Sequence, residues 1–353
     1  MIDLVWNFPL LASQGAEWKR YLAQAVEQMD AGDAVGMRPS FRGGDGELRK
    51  RAAAWMGVEA ERFWFTCGGH HGTLVGLMTA GMAGKAVASE WVTYTGIVEQ
   101  ARMLGCALVG LEFDGQGMLP EALRGACEKD GAKAIFAMPS VHNPLGITAG
   151  LERRQAVVEV AREFDLVIVE DDAYGFMEED APAAYRELAP ERTFYVRGLS
   201  KTYAPATRTG LLVAPERWNG RVDTVIKNSS TGTSVVHNAA CVAMMEDGVI
   251  DRLVLVKRVE GARRNAEARK ILGSAAAEGA RCAWHLWVTL PEGLEAAEAQ
   301  KVCGERGVLV SAAGGFTVPG FAAPRALRLA LGGEVEAERT LEGVGVVAEV
   351  IRG

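Results

Sequence analysis

Through its middle the chain alternates short, wholly apolar runs with longer stretches in which apolar residues recur every three to four positions. The runs at 134–138 (AIFAM), 166–170 (LVIVE), 194–196 (FYV) and 211–214 (LLVA) predict buried strands. Between the first two, 151–164 places Val157, Val158, Val160, Ala161 and Phe164 at helical spacing, with Arg and Glu between them. Helices are also predicted over 45–56, 72–83, 96–104 and 120–127. Strands and helices in alternation form the α/β pattern. After about residue 235 the texture changes. A long charged helix (251–272) is followed by a strand (283–290), a helix (296–306), a strand (308–311), a Gly/Pro-rich loop, a strand (326–331) and a last helix from 334, which predicts a smaller α+β unit. The Gly-rich segment 31–46 sets off the first 30 or so residues, which fold back onto one unit or the other.

Composition narrows the function classes. The chain has 353 residues, 49% hydrophobic and 24% charged, an ordinary globular balance that predicts about two domains. A net charge of −7 argues against nucleic-acid or anionic-membrane binding, which needs a basic footprint. No apolar run reaches the roughly 18–20 residues of a membrane span, and Asp3 with no basic flank argues against a signal peptide. Cys67, Cys106, Cys127, Cys241, Cys282 and Cys303 are scattered without a C-x-x-C pair, and the five histidines form no ligand-spaced set. A cytoplasmic, metal-free protein is expected.

The chemistry concentrates where apolar strands end, the edge at which open α/β sheets bind ligands. Asn143 follows AIFAM in the loop PSVHNPLG; Asp171, Asp172 and Tyr174 follow LVIVE; Ser200 and Lys201 follow FYVRGL; Arg208 comes seven residues later. Singly, each has a plain reading: NPLG as a turn, the aspartates as a helix N-cap, the lysine as a solvated side chain. In order and at successive strand ends, they predict one site.

The segment G-L-S-K-T-Y-A-P-A-T-R-T-G (198–210) resembles the cofactor-lysine motif of class I/II aminotransferases, enzymes of fold type I that depend on pyridoxal 5′-phosphate. N-P-x-G at 143–146 and D-x-x-Y at 171–174 fall at family-like spacing, and W-H-L-W-V-T-L-P (284–291) and R-L-A-L (328–331) are similar to the 2-aminoadipate aminotransferases and the aminotransferase-like domains of MocR-type regulators. The resemblance implies a mostly parallel seven-stranded sheet in a large, cofactor-binding domain at 46–240, an N-terminal arm and part of the small domain at 1–45, and a C-terminal small α+β domain at 241–353. It also implies a homodimer with a shared site.

For the site, the resemblance implies that Lys201 carries the cofactor as an aldimine and shuttles the α-proton. Asp171, three residues before the tyrosine and so preferred to Asp172, would face the pyridine nitrogen, and Tyr174 and Asn143 the ring oxygen. Arg208, Ser200 and the backbone of Gly69 and His70 at a helix start (T-C-G-G-H-H-G-T-L, 66–74) would hold the phosphate. Tyr94 would stack on the ring, and Arg328, rather than Arg325, would clamp the substrate carboxylate, with Asn143 beside it. Trp6, Phe8, Tyr94, Trp284 and Phe316 hint at an apolar substrate pocket.

The chain also departs from the family pattern. Gly198 stands where a phosphate serine is expected, Ala206 where a glycine is, and Val92 where a proline is. The tyrosine that reaches the partner's phosphate has no match; Phe41 is nearest, with Arg38 or Arg42 as alternative charges. No helix-turn-helix precedes residue 30, so a full-length MocR regulator is not expected. The reaction implied is transfer of the amino group of an L-amino acid to a 2-oxo acid. The same residues also suit a lyase, decarboxylase or cyclising synthase, or a cofactor-binding sensor without turnover.

Overall fold

The computed structural model describes residues 1–29, 40 and 43–353. Its centre is a seven-stranded sheet of β1 (Phe63–Thr66), β2 (Ala86–Glu90), β3 (Ala107–Leu111), β4 (Ala134–Ala137), β5 (Val167–Asp171), β6 (Thr193–Gly198) and β7 (Gly210–Val213), in the order β1-β7-β6-β5-β4-β2-β3. All pairings are parallel except those of β7, which runs against both neighbours. The expected seven-stranded, mostly parallel α/β sheet is thus present. Both of its faces are covered, which explains the unbroken apolar runs. Along β6, Phe194 and Val196 enter one core cluster and Tyr195 the other.

The helices are α1 (Gln14–Glu27), α2 (Gly46–Met56), α3 (Gly69–Thr79), α4 (Thr95–Met103), α5 (Pro120–Asp130), α6 (Leu151–Glu163), α7 (Asn219–Ser230), α8 (Val235–Glu246), α9 (Val249–Leu272), α10 (Ala296–Glu305) and α11 (Ala337–Arg352). A second, three-stranded sheet contains β8 (His285–Thr289), β9 (Ser311–Ala312) and β10 (Ala326–Ala330), with β10 central and both pairings antiparallel. The first residues join this smaller unit: Ile2 and Asp3 pair in parallel with Val308 and Leu309, and Ile2 and Leu4 enter its core. Helix α1 instead packs on α8, so the N-terminal segment touches both units. No helix among the described residues is long and apolar enough to cross a membrane.

Close packing of α3 on β6 sets the floor of the site. Three glycines on one helix face leave room for the strand. A Cβ at Gly72 would lie 2.7 Å from Val196 Cγ1, one at Gly76 3.2 Å from Phe194 Cβ, and one at Gly69 3.4 Å from the Gly198 backbone. Gly210, at the start of β7, is tighter still: a Cβ there would sit 2.4 Å from Thr66 Oγ1 and 2.5 Å from the Gly68 carbonyl carbon. That neighbour is backbone and cannot swing aside. Gly210→Ala is therefore expected to destabilise the fold by about 2–3 kcal/mol. Calorimetry should show a melting temperature several degrees lower; an unchanged one would mean that the turn between β1 and α3 yields.

Candidate active site

The carboxyl ends of β4, β5 and β6 open onto a cavity of about 830 Å3, closed from the other side by the N-terminal segment and the smaller sheet. Gly69, His70, Tyr94, Asn143, Asp171, Tyr174, Ser200, Lys201, Arg208 and Arg328, the residues singled out from the sequence, all line it. Six separate stretches of chain deliver them, as expected at the crevice of an open α/β sheet.

Lys201 lies in the short helical turn Leu199–Thr202 that follows β6. Its Nζ donates to the Asn7 carbonyl at 2.7 Å and lies 3.9 Å from the centre of the Phe8 ring. Desolvation, helped by the charge of Arg328, pulls the amine down to about 7, with Asp171 opposing. Asp171 closes β5, and burial together with Asp172 pushes its carboxyl up to about 7. Alternation along the strand separates the two aspartates. Asp171 lines the cavity, whereas Asp172 accepts a hydrogen bond from the Tyr195 hydroxyl on the other side of the sheet.

Tyr174 is buried, and its hydroxyl oxygen accepts from Asn7 Nδ2 at 3.0 Å. Asn143 occupies the loop after β4, where the Oδ1 of its buried carboxamide has no partner. This loop is pinned by Arg154. Its side chain is buried within the amphipathic helix α6 and donates to the Ala149 and Pro139 carbonyls and to Ser140 Oγ.

At the other end of the cavity, Arg208 is exposed and donates to the Cys67 carbonyl at 2.9 Å, beside Gly68 and the N-terminus of α3. Its φ of +47° is unusual for a residue with a side chain, a cost of about 1–3 kcal/mol of the sort that concentrates at binding sites. His71 accepts from the Cys67 N–H through Nδ1 and contacts Ser229 Oγ through Nε2 at 2.9 Å. Burial, with His70 and Arg208, lowers it to about 4, so it is neutral. The ring of Tyr94 meets that of His70 edge-on, with centroids 6.2 Å apart. Gly198 has a steric side: a Cβ there would press to 3.0 Å on the Gly69 amide nitrogen, so a serine would require the start of α3 to give by a few tenths of an ångström. Ser229 and Ser230, at the end of α7, line this end of the cavity and had no local signal in the sequence.

Arg328, on the central strand β10, is buried; Nη2 donates to the Val5 carbonyl at 2.6 Å and to Ser311 Oγ at 3.3 Å, while Nε has no partner. Arg325 is exposed. Of the aromatic residues, Trp6, Phe8, Tyr94 and Phe316 line the cavity. Trp284 does not. It is fully buried and donates from Nε1 to the Lys257 carbonyl, in space left open by Gly261. Arg38, Phe41 and Arg42 lie outside the described residues. Sequence reasoning also missed Asn7, since nothing local marks an asparagine whose partners lie more than 160 positions away.

A family model described as aminotransferase class I and II matches residues 2–344. The chain is 24% identical over 285 residues, 81% of its length, to an uncharacterized HTH-type transcriptional regulator, YdeF, of Bacillus subtilis. It covers 61% of that protein, and it spans less than two thirds of the length of the other such regulators it matches. It is 26% identical to the 2-aminoadipate transaminase of Thermus thermophilus over 333 residues, 90% of this chain and 82% of that one. The crystal structure of an archaeal alanine:glyoxylate aminotransferase superposes with a TM-score of 0.90 at 22% identity, covering 100% of this chain and 91% of the other.

Proposed function

The chain belongs to the class I and II aminotransferases, and from that premise we propose that it is a pyridoxal-phosphate-dependent aminotransferase that moves the amino group of an L-amino acid to a 2-oxo acid. The carrying observation is the convergence of Lys201, Asp171, Tyr174, Asn143 and Arg328 on one cavity. Pyridoxal phosphate, when bound, supplies an electron sink for the charge left when a bond at the substrate's α-carbon breaks.

The donor set fits that group. Arg208, Ser200 and the free N–H groups at the start of α3, an eleven-residue helix, suit a phosphate. Asn143 has a buried carboxamide oxygen without a partner, and with Tyr174 it offers polar atoms for a ring oxygen. Asp171 takes its charge fully when it faces a cationic ring nitrogen, which reverses the rise caused by burial.

The roles of the chain's own groups follow. With its amine near 7, about half of Lys201 is unprotonated at neutral pH, so it would serve as a nucleophile toward the cofactor and, when free, would take and return the proton at the α-carbon. Asp171 holds a proton on the ring nitrogen, Arg328 grips the substrate carboxylate, and Tyr94 and Phe8 exclude water from the amine's surroundings. We extend the reading to a cytoplasmic homodimer whose partner subunit completes the cavity.

The test is a visible absorption spectrum of the purified protein with pyridoxal phosphate. A band should form, bleach on adding a mixture of L-amino acids alone, and return when a 2-oxo acid is supplied. A band that never bleaches would overturn transamination and favour a lyase or a sensor.

A further inference from the structure

Four segments far apart in sequence meet around one side chain. Asn7, 3% exposed, lies between Tyr174 and His285: its Nδ2 donates to the Tyr174 oxygen at 3.0 Å and to His285 Nδ1 at 3.2 Å. The same residue's carbonyl accepts from the Lys201 amine. His285, on β8, contacts the His142 carbonyl through Nε2 at 3.0 Å, and His142 immediately precedes Asn143.

Each hydrogen bond sets the direction of the next. A backbone carbonyl only accepts, so His285 Nε2 carries the proton and Nδ1 presents its lone pair. That lone pair requires an N–H from Asn7, which fixes the carboxamide with nitrogen toward His285 and Tyr174. The Tyr174 oxygen therefore accepts from Asn7, and its own proton is left to donate elsewhere. Burial lowers His285 to about 3, so the ring stays neutral and the order holds across the working pH range.

We propose that Asn7, oriented by His285 and the His142 carbonyl, is a positioning residue that keeps the Tyr174 hydroxyl proton directed at the ring oxygen of the bound cofactor. This rests on the cofactor reading above. The other charged or titratable groups that face Tyr174 are Arg328, Asp171, Tyr94 and Lys201, and none of them hydrogen-bonds its oxygen among the described residues. A proton donated to the ring oxygen stabilises its anionic form and so lowers the pH at which the holoenzyme's visible band titrates.

The test measures that midpoint in the holoenzyme, without substrate, in two backgrounds. Asn7→Asp replaces the donor with an acceptor, so the hydroxyl turns toward the carboxylate. The midpoint should rise by about one pH unit or more. In the Tyr174→Phe background only the added charge acts, and the shift should fall to half or less. Equal shifts in both backgrounds, or none in either, would overturn the proposal. Should Asn7→Asp not fold, His285→Phe makes the same comparison without adding charge. It removes the lone pair and frees the carboxamide to turn, which should raise the midpoint by about half a unit with Tyr174 present and not at all without it. If the native protein forms no band with pyridoxal phosphate, the reading of the site fails instead.

Discussion

Lys201→Ala is expected to lower kcat by at least about four orders of magnitude for any donor, because one atom is asked both to attack the cofactor and to carry the α-proton. The cavity offers no substitute: among the described residues that line it, Lys201 is the sole lysine. The nearby Lys257 is buried, and its Nζ is spent on the Lys201 and Tyr203 carbonyls, at 2.9 and 2.8 Å. The cofactor should still bind non-covalently to Arg208, Asp171 and the start of α3. Dialysis and the visible spectrum would therefore separate loss of chemistry from loss of binding. Steady turnover within tenfold of the native protein would sink the assignment.

What the sequence made legible was the set of polar residues just past apolar strands. The topology of a parallel sheet gathers such positions at one edge whatever the rest of the chain does. Asp171 could be preferred to Asp172 by spacing, and the strand period then sends the two to opposite sides. Three strands of the sheet carried weaker patterns. β1 (FWFT) closes on a polar threonine, β2 ends in the buried polar pair Ser89 and Glu90, and β3 is a half-buried edge strand. Interactions between distant segments left no mark at all. Trp284 read as a pocket aromatic because no local rule pairs it with Gly261, and nothing in the pattern of the long charged helix marked Lys257 and Arg264 as buried. Arg264 donates to the Leu331, Glu334 and Val335 carbonyls, a partnership visible only once α9 meets the end of β10.

Arg328→Ala should raise KM for every L-amino acid by roughly 100-fold or more, the loss that follows from removing a desolvated charge-assisted contact of about 3 kcal/mol. The guanidinium is 7% exposed, forms no ion pair among the described residues, and is held by a backbone carbonyl and a hydroxyl with Nε unpartnered. Burial lowers its proton affinity, and Asp3, Tyr174 and Tyr94 only partly oppose this. A buried cation in that state costs folding energy until an anion arrives. The same substitution should therefore leave the melting temperature unchanged or raise it slightly, which a residue serving packing alone would not do. Arg328→Lys should recover little, since a point charge on a flexible stem does not reproduce the planar fork. A primary amine without a carboxylate supplies the control, with native and variant enzymes processing it equally poorly. An unchanged KM across several amino acids would move the carboxylate clamp to another residue. A KM raised only for acidic side chains would place Arg328 at the distal end of the substrate instead.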